Sequence, residues 1–173
     1  MKKILFGLIV SIFFTTANYG QKTYKGEGKY SSVEATNIKS SINSIVTEVK
    51  ITDKKSGAKL PSFIYKLTSQ KESDIKLDLK ENPESFNGFL TIEIEGQIAY
   101  KVSVVNGKFE KPEIFEFTGT TEIWRKYPCT IKGNFQCARD RINDMNWFDY
   151  AICALTAPEC LAQTHISCAI DNC

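Results

Sequence analysis

The sequence predicts an α+β protein, with an N-terminal antiparallel β-sandwich or curled β-sheet followed by a C-terminal, disulfide-stapled α-helical hairpin. Three observations carry that prediction. Apolar and polar residues alternate with period two through much of residues 44–117, the signature of half-buried strands. Asn106-Gly107 joins two such runs, and Asn-Gly is the strongest short hairpin signal because both central residues of its turn take positive φ. All six cysteines (Cys129, Cys137, Cys153, Cys160, Cys168 and Cys173) fall in residues 129–173, where the apolar spacing changes to three and four.

In chain order, Lys2 and Lys3 precede an apolar run over 4–14 and then Thr15, Thr16 and Ala17. A positive start, an apolar segment and small residues form a cleaved signal peptide, here residues 1–20, with cleavage after Ala17 or Gly20. The run is shorter than the roughly 20 residues that span a bilayer. No cysteine follows it, so lipid attachment there is excluded. Removing Lys2 and Lys3 takes the formal charge from +2 to 0. A neutral, mixed surface excludes nucleic acid, which rewards a basic face. The slightly acidic C-terminal end is a poor composition for anionic membranes. The expected protein is secreted or periplasmic, with no membrane span in the mature chain.

A β-rich domain is expected over 21–123 and a cysteine-rich helical module over 124–173, the join lying near 119–128, with one core shared by both as an open possibility. Residues 22–43 are ambiguous. Ser31 and Glu34 have the spacing of a helix cap, while the many Ser, Asn and Thr residues are poor helix formers. Ile45, Thr47, Val49 and Ile51 alternate as a strand over 44–52. Phe63, Tyr65 and Leu67 alternate next, then Ile75, Leu77 and Leu79. Leu90, Ile92 and Ile94 turn at Glu95-Gly96 into Ile98, Tyr100, Val102 and Val104. After Asn106-Gly107 come Phe109, Pro112, Phe115 and Phe117. Several short strands at this spacing read as a sandwich or curled sheet.

Within this region Ile51-Thr-Asp-Lys-Lys-Ser-Gly57-Ala-Lys-Leu60-Pro61, with Asn87-Gly88-Phe89-Leu90-Thr91-Ile92 after it, resembles the signature of carboxypeptidase-regulatory-type modules. Those are transthyretin-like β-sandwiches, accessory and non-catalytic in exported proteins. The resemblance covers residues 45–105 and implies a β-sandwich. Ser62 stands where that pattern commonly has glycine, and the gap to Gly88 is long.

In the C-terminal region Ile142, Met145, Phe148, Ile152 and Leu155 mark one apolar face of a helix over 137–155. Thr156 and Glu159 have capping-box spacing and Pro158 suits a first helical turn, so a second helix is expected to run to about residue 170. Even cysteine number, export and a small module together imply three disulfides. Six cysteines allow 15 pairings. Cys137 with Cys153, and Cys160 with Cys168, would be too far apart along their helices. Cys153 and Cys160 flank the turn and are expected to pair. Cys137 then takes Cys168 or Cys173 and Cys129 the remaining one; the local alternative is Cys129–Cys137 with Cys168–Cys173. A zinc set of Cys160, His165, Cys168 and Cys173 lacks the paired C-x2-C spacing.

The function classes narrow by what the residues offer. His165 is the only histidine and has no nameable base–orienter partner, and cysteines held in disulfides are not nucleophiles. No phosphate-cradling glycine loop, H-E-x-x-H or G-x-S-x-G occurs. No catalytic residue, metal ligand or cofactor site is expected. Trp147 and Tyr150 flank the apolar stripe, either packing on the β-domain or offering an aromatic contact for a protein or cell-surface partner. The reading is an exported, non-enzymatic binding protein; the alternative is a secreted toxin or enzyme inhibitor acting through its cysteine-rich hairpin. N-terminal sequencing of secreted material is expected to begin after Ala17 or Gly20; a start at Met1 would refute export by this signal.

Overall fold

The computed structural model describes residues 22–28, 31–59, 61–115 and 131–172. The apolar N-terminal run, the expected join at 119–128, Phe117, Cys129 and Cys173 lie outside them. Among the described residues, eight strands form one antiparallel sheet: β1 (Thr23–Glu27), β2 (Ser31–Ser41), β3 (Ser44–Asp53), β4 (Phe63–Ser69), β5 (Gly88–Ile94), β6 (Gln97–Val105), β7 (Lys108–Phe109) and β8 (Glu113–Ile114). Strands β1 to β7 neighbour one another in chain order, and β8 returns to pair with β6. Helix α1 (Ile75–Glu81) and a 3-10 turn at Pro83–Ser85 link β4 to β5, and α2 (Ile131–Asp144), α3 (Trp147–Thr156) and α4 (Glu159–Asn172) follow the sheet.

The pleat and the register explain why the helices gather on one face. Ala35 opposes Val49, Val49 opposes Phe63, and Phe63 opposes Ile94. One row along, Thr47, Tyr65, Ile92 and Tyr100 are likewise in register. All eight are buried, so alternation in each strand delivers a continuous apolar face. In place of the second sheet of a sandwich, helices cover it. Phe135 and Ile142 of α2, Trp147, Tyr150 and Ala151 of α3, and Leu161 and Ala162 of α4 join the same buried cluster. The β-rich and cysteine-rich parts therefore share one core. Gly26 lets Ile166 of α4 approach the β1 backbone closely, seating that helix on the sheet edge.

Several elements depart from the sequence reading, each for a local reason. Ser31 and Glu34 lie in β2 instead of capping a helix, because β2 finds strand partners on both sides. Ile75, Leu77 and Leu79 form α1, not a strand. Asp74 accepts the amides of Lys76 and Leu77 at 3.0 and 3.4 Å and starts a helix. Ile75 and Leu79, four apart, turn inward, while Leu77 is 49% exposed. A register irregularity beside Glu93 resets the alternation in β6, leaving Ile98 outward and Ala99 buried. The expected helix over 137–155 is two helices. Asn146 accepts the amide of Asp149 at 2.9 Å and begins α3 afresh. Thr156 caps no helix start; its hydroxyl donates back to the carbonyls of Ile152 and Cys153 at the end of α3.

Among the described residues, two disulfides fasten the helices: Cys153–Cys160 across the α3–α4 reversal, and Cys137–Cys168 between α2 and α4. The second overturns the local scheme for Cys137 and Cys168. Asn134 meets His165 and Cys137 meets Cys168, each pair 31 residues apart. Contacts thus advance in the same sense along α2 and α4, while α3 and α4 make the tight hairpin. Loop-closure entropy assigns about 3.7 kcal/mol to the longer link and about 2.4 kcal/mol to the shorter.

Both expected two-residue turns form, with positive φ at Glu95 and Gly96 and at Asn106 and Gly107. Gly107 is doubly constrained. A Cβ there would lie 2.6 Å from Glu84 Cα and 2.7 Å from the Pro83 carbonyl oxygen, and the Gly107 amide donates to Phe86. Gly107→Ala is expected to cost about 2 kcal/mol or more, read as a lower denaturation midpoint; an unchanged midpoint would contradict this packing.

Candidate functional site

The restart at Asn146 sets which aromatic side chains reach the surface. Because α3 begins its own phase, Trp147, Tyr150, Ala151 and Ala154 turn inward. The Trp147 ring stacks on Phe86 with centroids 5.0 Å apart, and Phe109 meets both Trp147 and Tyr150 edge-on at 5.5 and 5.4 Å. Trp147 Nε1 donates to the Pro83 carbonyl at 2.5 Å, so the one polar atom of the indole is satisfied. Burial pushes the Tyr150 phenol up from its ordinary range. Burial also raises Tyr100 to about 12, and its hydroxyl donates to Asn143 Oδ1 at 3.2 Å.

Trp147 and Tyr150, read from the sequence either as packing on the β-domain or as a partner contact, are only 6% and 3% exposed. They occupy the packing role, and the contact is not at their side chains. The exposed apolar residues of α3 are instead Phe148 and Ile152, both assigned by the unbroken stripe to the core; Phe148 is 59% exposed. Phe148 borders a groove of about 420 Å³ between the β6–β7 turn, the Pro83 turn and the start of α3. Its apolar lining is Phe109, Met145, Trp147 and Phe148, with Glu84 and Lys108 beside them. The signal for this arrangement was in the sequence, since Asn146 followed three residues later by Asp149 has helix-start spacing.

His165 lies apart from that groove and is fully buried where α4, α2 and β4 meet. Asn134 Nδ2 donates to the His165 backbone carbonyl at 3.1 Å, which orients the Asn134 amide. Its Oδ1 therefore faces the ring and accepts from Nδ1–H. A neutral imidazole then has only Nε2 as acceptor, and the Tyr65 hydroxyl donates to it at 2.5 Å. Phe63 packs on the ring with centroids 4.7 Å apart. Burial lowers the His165 pKa to about 3 and raises that of Tyr65. Base, orienter and hydroxyl are thus in line, yet all three side chains are buried and engaged. The arrangement fastens elements together. Cys160 and Cys168 are bonded to Cys153 and Cys137, so neither sulfur is free for the zinc set considered from spacing.

A second depression, about 560 Å³, lies toward β1–β3 and is bordered by Lys25, Glu34, Lys50, Thr52, Lys59 and Ser62. Lys25 and Glu34 pair across β1 and β2 at 3.1 Å. Such exposed pairs contribute little, and this is a solvated polar surface.

No helix among the described residues is long and apolar enough to cross a membrane. No family model, curated protein or solved structure matches the chain. Truncating the two neighbouring aromatics is expected to separate their roles: Trp147→Ala lowers stability by about 3–5 kcal/mol, whereas Phe148→Ala changes it by less than about 0.5 kcal/mol. Equal losses in denaturant titrations would contradict the assignment of core and surface.

Proposed function

We propose that this chain is an exported, non-enzymatic binding protein, and that the groove beside Phe148 receives an apolar side chain from a protein partner. The observation that carries the reading is the exposure of Phe148 at the mouth of an aromatic-floored groove, although its neighbours Trp147 and Tyr150 are buried. Well-packed aromatic pockets with polar surroundings are where binding energy concentrates at protein interfaces. Glu84 and Lys108 at the groove supply charges of both signs, which suits a peptide chain. Export is supported by two internal disulfides, which form and persist in oxidising compartments. A non-enzymatic role is supported by His165, whose two ring nitrogens are both taken inside the core. The helices share their core with the sheet, which supports the intact chain as the binding unit over a hairpin acting alone.

The test is site-specific photo-crosslinking with oxidised, signal-free protein in medium from its own cells. A photoreactive residue at position 148 is expected to capture a protein partner that the same probe at Thr68, outside the groove, does not. Binding of that partner is expected to weaken at least tenfold in Phe148→Asp while the denaturation midpoint is retained. Equal capture from both positions, or unchanged affinity in the variant, would overturn the assignment of the groove.

A further inference from the structure

We propose that Tyr65, His165 and Asn134 form an acid-sensitive latch, which holds α2 and α4 on the sheet while His165 is neutral and releases them when it takes up a proton. The geometry makes that proton costly to place. Asn134 Oδ1 already accepts from Nδ1–H, and the Asn134 amide cannot turn to help without breaking its bond to the His165 carbonyl. Nε2 accepts from the Tyr65 hydroxyl, which has no other hydrogen-bond partner among the described residues. Protonating Nε2 would turn the Tyr65 hydroxyl from donor to acceptor and leave its own proton without a partner in a buried site.

Among the described residues, no carboxylate faces the ring to stabilise an imidazolium. From β4 come Tyr65 and the Phe63 ring; from α2 come Asn134 and Phe135, which stacks on Phe63. From α3 comes Tyr150, which interacts electrostatically with Tyr65 and is itself buried and neutral. Strands β1 and β2, on which α4 also packs, turn Tyr24, Gly26, Val33 and Ala35 toward the helices. None of these is a carboxylate. Burial alone accordingly holds the His165 pKa down near 3 in the closed form. Once released, the ring titrates near its ordinary value of about 6.5. Since the closed form binds the proton less tightly, its stabilisation is complete above about pH 6.5 and is lost progressively as pH falls toward 3. Two other ties of the helices to the sheet do not titrate in this range, the bond from Asn37 Nδ2 to the Ala157 carbonyl and that from the Tyr100 hydroxyl to Asn143 Oδ1, and the Cys137–Cys168 disulfide that joins α2 to α4 is likewise insensitive to pH. That disulfide keeps α2 and α4 together as they leave the sheet.

Native-state hydrogen exchange of the intact, oxidised, tag-free protein tests the latch, with rates corrected for the intrinsic effect of pH. Opening of α2 and α4 amides is expected to increase about thirty-fold from pH 7.5 to pH 5, with a much smaller change in the β5–β6 hairpin. His165 is the only histidine, so its ring proton resonance reports protonation directly and is expected to shift in step with that opening. Unchanged helix protection would overturn the proposal, as would an equal gain in exchange across helices and hairpin, which is whole-chain acid unfolding. His165→Gln is expected to abolish the increase; persistence of the full thirty-fold effect would also overturn the latch. If that variant does not fold, Asn134→Asp serves instead. A carboxylate facing Nδ1 holds an imidazolium in the closed form, and the acid effect is expected to fall below threefold. A thirty-fold effect retained there would count against the latch equally.

Discussion

Burying a histidine ring costs free energy unless both of its nitrogens find partners, and around His165 that requirement governs how three elements meet. Tyr65 is supplied by the middle of β4, Asn134 by the first turn of α2, and the ring by the middle of α4. Leaving any one of these groups unpaired would cost about 1–3 kcal/mol, comparable to one disulfide. A placement of the helices that separated these groups would orphan one of the three. Apolar contact brings the helical layer to the sheet; the polar contacts select a single seating for it. Cys137–Cys168 lies one turn further along the same two helices and makes that seating covalent. The side chain of Asn37 extends the same logic to the α3–α4 reversal. It accepts from Thr47 at 2.7 Å and donates to the Ala157 carbonyl at 3.3 Å, tying the turn to the sheet.

The surface follows from a second local constraint, the restart of the chain at Asn146. A single helix running from Cys137 to Leu155 would carry Phe148 and Ile152 inward with Ile142. Breaking it rotates the next helix, and the larger indole of Trp147 goes inside with Tyr150 while Phe148 goes outside. The exchange is favourable for the core because the indole N–H finds the Pro83 carbonyl and its ring finds Phe86 and Phe109. Its by-product is an exposed aromatic beside a groove. The candidate recognition surface and the aromatic core are in this sense two faces of one helix start.

Much of the β-region was legible because its signals are local. Alternation in residues 44–52, 63–67 and 90–94 needs only neighbours in sequence, and Asn106-Gly107 encodes its own turn. Misreadings arose where two periods fit the same residues. Ile75, Leu77 and Leu79 satisfy an alternating pattern, but Ile75 and Leu79 also satisfy a helical one, and Asp74 decides for the helix through its bonds to the following amides. The stripe from Ile142 to Leu155 was a genuine helical period carried across a break. In the candidate site, the stripe puts Phe148 on the core face and Trp147 beside it, and the restart at Asn146 exchanges the two.

By itself, the sequence determined the strands β3 to β6, the turns at Glu95-Gly96 and Asn106-Gly107, the helical C-terminal end and the Cys153–Cys160 bond, because each rests on a local pattern, whereas residues 22–43 stayed open between helix and strand. The tertiary structure alone decided that one sheet is covered by helices instead of a second sheet, that α2 and α4 run in the same sense, and that His165 is a fastening. These depend on residues 31 and 100 positions apart, whose meeting is chosen by competition among whole packings. Desolvation decides that competition: an apolar stripe states only that a surface is to be buried, whereas a buried imidazole requires a particular donor and a particular acceptor on either side of it.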